Sequence, residues 1–172
     1  LFAGTTATTF APNATMTRGQ LVTVLWRMAG KPEAASAGFA DVDPASAYAD
    51  AIDWAYANKI TSGYTETTFQ PGKAITREQF VAMSVRLDEW MELETYDSRR
   101  GSFPDMPVSH WAADYIQEAS RNGWIVGYTD GLFHGGDCIT RAEVATIVNR
   151  MLGRTADERF IRHHEDELTT FR

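Results

Sequence analysis

Three groups of landmark residues recur along the chain with one shared pair of offsets, and this limits the fold more than any local pattern does. Gly4, Gly63 and Gly127 form one group, Phe10, Phe69 and Phe133 a second, and Arg18, Arg77 and Arg141 a third. Each group is spaced by 59 and then 64 residues. Independent landmarks that share two unequal offsets mark one structural unit, repeated. Another pair opens the unit: Phe39-Ala40-Asp41-Val42 and Phe103-Pro104-Asp105-Met106, again 64 apart. A unit therefore reads opener, first helix, glycine turn, loop, and a second helix headed by arginine.

The second helices are announced by Thr17-Arg18-Gly19-Gln20, Thr76-Arg77-Glu78-Gln79 and Thr140-Arg141-Ala142-Glu143. Each is followed by apolar residues at helical spacing: Leu21, Val24, Leu25 and Met28; Phe80, Met83 and Leu87; Val144, Ile147, Val148 and Met151. Threonine three places before Gln or Glu is a capping box, in which hydroxyl and N3 side chain each bond the other's backbone amide. Local structure accounts for those two residues but not for the arginine. A cation in the first helical turn faces the positive end of the macrodipole, at a cost of a few tenths to about 1 kcal/mol. Three such arginines ask for a compensating anion. Either an intramolecular carboxylate supplies it, or an anionic ligand does, since free helix-start amides beside a guanidinium make an anion receptor.

The first helix is expected from Tyr48 to about Asn58, with Ile52, Ala55 and Tyr56 on one face. Its counterpart runs from Trp111 to about Asn122, with Tyr115, Ile116 and Ala119. Asp43-Pro44 and Met106-Pro107 keep the preceding segments extended, because a residue before proline avoids the α region. Gly63-Tyr64 and Gly127-Tyr128 turn the chain, the glycine permitting a positive φ or a close backbone approach. The following loops are expected to be ordered, with Phe69 and Phe133 in the core. Residue 1 falls at the position equivalent to Ile60, so an opener and a first helix are expected upstream, and Leu168 to Arg172 resembles the approach to another opener. The units expected are 1–30 (second half of a repeat), 39–90, 103–153, and a helical extension over 154–172. The extension carries a fourth capping box at Thr155 to Glu158 and apolar spacing at Phe160, Ile161, His164 and Leu168.

The net charge of −7 argues against nucleic acid as the main partner, which needs a basic surface. A single cysteine, Cys138, excludes an intrachain disulfide framework and a cysteine-based zinc site. No apolar run is long enough for a membrane span. Adjacent His163 and His164 point about 100° apart on a helix, unlike the i, i+4 pair of a zinc helix, and read as a solvated face. Asp41-Val42-Asp43 lacks the glycine and terminal glutamate of a calcium loop. Asp88, Glu89, Glu92 and Glu94 read as a solvated acidic face. No metal, cofactor or catalytic residue is expected, because residues repeated unit by unit suit repeated binding better than chemistry.

A Phe-x-Asp-Val opener, an aromatic-headed first helix ending at Gly-Tyr, an aromatic-bearing loop and a Thr-Arg-x-Glu/Gln helix together resemble the S-layer homology repeat. The likeness runs from Leu1 to Leu152. It implies an all-α fold with three repeats packed as a pseudo-threefold domain, exported by a bacterium, anchoring its protein to a secondary cell-wall polysaccharide that often ends in a pyruvylated amino sugar. Carried over by position, the implied ligand contacts are Arg77, Arg141, Arg18, Asp41, Asp105, Trp111, Gly63, Gly127, Tyr64 and Tyr128. The arginines would take the carboxylate, the aspartates would accept from sugar hydroxyls, and the aromatics would cover a sugar face. Ala47 stands where Trp111 does, with Tyr48 beside it, so the aromatic wall differs between units. Two usable clefts at most are expected. The other reading is a structural or protein-interaction module, self-associating or docking a surface-protein cargo, with the arginines in internal salt bridges.

Overall fold

Each capping box folds as its spacing requires, and the helices it starts set the architecture. The computed structural model describes residues 8–92 and 101–154, and within them the chain forms five helices and no strand. They are α1 (Arg18–Met28), α2 (Ala49–Ala57), α3 (Arg77–Met91), α4 (Ala113–Arg121) and α5 (Arg141–Met151). Thr17, Thr76 and Thr140 are extended, each accepts from the N3 amide, and the Gln20, Gln79 and Glu143 side chains return the bond. The expected all-α, pseudo-threefold fold is what forms. The first helices run slightly shorter than the apolar spacing predicts, and the 154–172 extension lies outside the described residues apart from Arg154.

Where the units meet, three backbone bonds close a ring around the pseudo-threefold axis. Met16 N–H donates to Ile139 C=O, Ile139 N–H to Ile75 C=O, and Ile75 N–H to Met16 C=O, at 3.0, 3.1 and 3.0 Å. All three side chains are fully buried. A second tier of bonds repeats the cycle outside this ring. The first amide of α1 donates to Lys73 C=O, that of α3 to Asp137 C=O and that of α5 to Ala14 C=O; the next amides donate to Pro71, Gly135 and Pro12 C=O. The helix-start amides are therefore not free, as the anion-receptor reading had them. Each is satisfied by the loop of another unit, which leaves the arginine side chain alone to meet any anion.

Packing follows the seams between units. α1 lies against α2 and α3 against α4, so the second helix of one unit pairs with the first helix of the next. One continuous core runs beneath them, with Trp54, Phe69, Phe80 and Phe133 among its largest fully buried side chains. Gly63 and Gly127 turn out to serve close approach. A Cβ at Gly63 would stand 2.7 Å from the Phe39 ring and 2.2 Å from Thr65 O; at Gly127 it would stand 2.7 Å from the Phe103 ring. The opener phenylalanine thus requires the glycine. Two expectations fail. Tyr56 is 44% exposed and stands edge-on to Phe39. Asp88, read as part of a solvated face, is 3% exposed because α3 continues past the length of α1 and carries it under α4.

Candidate ligand-binding clefts at the unit seams

The loop before each arginine-headed helix contains a residue forced into the left-handed region. Ala11, Gln70 and His134, each following a landmark phenylalanine, have φ of 52°, 57° and 56°. Such a conformation costs of order 1 kcal/mol or more in a non-glycine residue and persists only where its surroundings impose it. At Gln70 and His134 it is clamped from two sides, and the arginine side recurs at Ala11. Asp41 accepts from the Phe69 and Gln70 amides at 2.8 and 2.7 Å, and Asp105 from the Phe133 and His134 amides at 2.9 and 2.7 Å. Burial alone would raise both carboxyl pKa values, but these amide bonds pull them below the ordinary range. From the other side, the arginine of the preceding unit reaches the phenylalanine carbonyl. Arg18 Nε donates to Phe69 O at 2.9 Å, Arg77 Nε to Phe133 O at 3.0 Å, and Arg141 Nε to Phe10 O at 2.8 Å.

These bonds answer the question that the helix dipole raised. Each arginine is 5% exposed and lies over the ring of the phenylalanine whose carbonyl it holds, at 4.5, 4.8 and 4.8 Å for Arg18, Arg77 and Arg141. Carbonyl oxygens and aromatic faces supply the negative field, and each charge-assisted bond is worth roughly 1.5–3 kcal/mol. Arg77 also meets a carboxylate, Nη1 to Glu143 Oε1 at 2.8 Å, which Arg18 does not among the described residues. Glu143 accepts there from the Tyr128 hydroxyl too, at 2.5 Å, while Oε2 accepts from Thr140 N and Oγ1. Burial would raise the Glu143 pKa, but Tyr128, Thr140 and Arg77 hold it below the ordinary carboxylate range. Tyr128 is pushed up to about 12 by burial and by that same carboxylate.

Beside the Arg77 and Arg18 clamps a cleft opens to solvent. The one at the Arg77 seam has a volume of about 300 Å³ and is lined by Arg77, Val126, Tyr128, Glu143, Ile147 and Arg150 among others. At the Arg18 seam a wider cleft of about 630 Å³ is lined by Tyr56, Ala57, Lys59, Thr61, Ser62 and Arg86. It adjoins the arginine through Ser62, whose carbonyl accepts from Arg18 Nη2 at 3.0 Å. Burial lowers the Arg18 pKa, opposed by Tyr64 and Asp41. Tyr64 there is bonded through its hydroxyl to Lys73 Nζ, which also sits 3.7 Å from the Tyr64 ring centre.

The structure thus gathers Arg77, Gly127 and Tyr128 into one cleft; at the other, Ser62 lines the cleft and Arg18 adjoins it through the Ser62 carbonyl, with Tyr64 outside the lining. Asp41 and Asp105 point into their own loops, and Gly63 and Gly127 face the opener rings as well. Trp111 is 53% exposed beside His110 and lines neither cleft. Sequence reasoning missed Glu143, Lys59, Lys73, Arg86 and Arg150. Glu143 had been read as a cap alone, although Glu in one box against Gln in two was a visible difference. Among the described residues no group of acids, histidines or cysteine is placed to hold a metal ion, and no helix is long and apolar enough to cross a membrane.

A ring of helical repeats joined at their seams defines a modular repeat domain rather than a single-pocket protein. The chain belongs to the S-layer homology domain family, whose model matches residues 1–22, 38–81 and 102–145. It is 34% identical over 164 residues to an endoglucanase of Bacillus sp. (strain KSM-635), covering 94% of this chain and 17% of the relative. It is also 30% identical over 152 residues to the cellulosome-anchoring protein of Acetivibrio thermocellus, covering 84% of this chain and 34% of the relative. A 53-residue stretch, 31% of this chain and 4% of the relative, is 43% identical to the outer membrane protein SlpA of Deinococcus radiodurans. The chain spans between 4% and 34% of the length of these curated relatives. Domains of this family are non-catalytic units that anchor proteins at the cell surface, and the chain belongs to the bacterial cell surface or wall.

Proposed function

We propose that this chain is a non-catalytic anchor binding an anionic secondary cell-wall polysaccharide in the clefts between its units. The observation that carries the reading is the pair of seam clefts, each with guanidinium groups at its edge and a half-exposed tyrosine, Tyr64 or Tyr128, beside the turn. Guanidinium suits a sugar carboxylate, and the tyrosine ring suits an apolar sugar face. The units are 1–30, 39–90 and 103–153, and the contacts are Arg18, Arg77, Arg141, Tyr64 and Tyr128, with Trp111 outside the clefts as an outer aromatic. Asp41, Asp105, Gly63 and Gly127 serve by shaping the loops. Several weak clefts on one rigid body raise the effective concentration at a polymer.

Co-sedimentation with purified sacculi, intact or stripped of secondary polysaccharide, tests this. Binding to intact walls alone supports the anchor. Equal binding to both removes the carbohydrate and leaves the protein-interaction reading. Replacing Arg77 and Arg141 by alanine is a poor test, because each also holds a loop and the fold would fail first.

A further inference from the structure

The two described seams differ at the inner half of the capping box, a position that lines the cleft at the Arg77 seam and not the one at the Arg18 seam. At the Arg77 seam position 143 is glutamate, and its two oxygens divide the work: Oε2 serves the cap and Oε1 accepts from Arg77 and Tyr128. At the Arg18 seam the equivalent position 79 is glutamine. Its single acceptor, Oε1, is engaged by the Thr76 amide at 3.4 Å, leaving an NH₂ group that cannot accept from a guanidinium. Accordingly, among the described residues, no acid forms an ion pair with Arg18 and its Nη1 has no hydrogen-bond partner. The surrounding charges follow the same division. Lys59 and Arg86 line the Arg18-seam cleft with no acid among its lining residues, and Lys73 stands at Tyr64; the Arg77-seam cleft balances Arg77 and Arg150 against Glu143.

We propose that position 79/143 decides which seam receives the charged sugar: the Arg18 seam, with Gln79, takes a carboxylate-bearing unit, and the Arg77 seam, already holding its own carboxylate, takes a neutral one. A second anion at the Arg77 seam would meet Glu143 across a few ångströms, a like-charge contact that a neutral sugar avoids. This rests on the carbohydrate-anchor reading above and assigns different chemistry to clefts that the repeat would make equal. Polymer segments with charged and uncharged units in succession are the ligands it selects.

The arginine Nε–Hε resonances of the whole chain give separate readouts of the two seams. The probe is a methyl hexoside carrying a 4,6-linked pyruvate ketal, titrated beside the same glycoside without the ketal. The ketal sugar is expected to shift the Arg18 resonance saturably and leave that of Arg77 unmoved. Gln79→Glu should weaken binding at Arg18 by about tenfold or more, and Glu143→Gln should make Arg77 respond to the ketal sugar. Both variants keep the cap acceptor, and circular dichroism checks their fold. An Arg77 response in the unaltered chain, or unchanged affinity in Gln79→Glu, overturns the proposal. So does silence at both arginines in a chain that still sediments with intact sacculi, an outcome that leaves the anchor reading standing. A ketal response at Arg18 without sedimentation does the reverse.

Discussion

At matching places in the two described seams, Gln79 stands where Glu143 does, Lys73 where Asp137 does, Ala29 where Asp88 does, and Trp54 where Glu118 does. The backbone around these pairs is the same: both seams have the cap, the two loop-to-helix amide bonds, the aspartate under the left-handed residue and the arginine above it. The first seam therefore has an apolar interior and a cationic cleft. The second has carboxyl groups within and a cleft whose charge is internally balanced. The repeat fixes how units join, while side chains outside that joint set the electrostatics of each seam independently.

The contrast can be broken by experiment, the largest effect first. Removing Arg77 strips the Phe133 carbonyl of its donor and leaves Glu143 without its cation. Arg77→Ala should cost about 3 kcal/mol against about 2 for Arg18→Ala, read from urea unfolding. Equal losses would mean that Glu143 adds nothing to the second seam. Next comes Asp88, whose Oδ1 has no hydrogen-bond partner and whose pKa burial, Glu118 and Glu89 raise to about 6. The native state keeps this proton over a range where the unfolded chain has released it. The stabilising contribution is thus full below about pH 4 and lost as pH rises through about 6. Asp88→Asn should raise stability at pH 7 by on the order of 2 kcal/mol and flatten that slope. Glu143, with its pKa lowered, acts in the opposite sense: its contribution is present above the ordinary glutamate range and lost as pH falls below it. The smallest effect is at the caps. Thr140→Ala should cost about 1.5 kcal/mol and Thr76→Ala about 1, because only the Thr140 hydroxyl also donates to a carboxylate. Calorimetric melting of the two variants separates them.

Much of this architecture could be read from residue order, because helix caps and apolar spacing are local. The three capping boxes, the repeated unit and the buried Phe69 and Phe133 followed from offsets in the chain, while the threefold packing came from the family resemblance. What could not be read were partners supplied from a distance. The helix-start amides look free until the ring brings in Lys73, Asp137 and Ala14, and the compensating group for Arg18 is a carbonyl 51 residues away. Asp88 looked solvated because its neighbours are acidic, but only the packing of α4 over a lengthened α3 decides its burial. The cleft residues were partly legible: the arginines and tyrosines recur with the unit, whereas Lys59, Arg86 and Arg150 carry no signature until a seam assembles them.

The ring formed by Met16, Ile75 and Ile139 has a consequence for how such domains can grow. Every member gives one amide and takes one carbonyl, so the set is complete at three and has no vacant end onto which another member could be added. An open stack of repeats can lengthen indefinitely, with each copy resting on its neighbour. Here a fourth copy would have to begin a separate ring, so lengthening this anchor means adding whole trios.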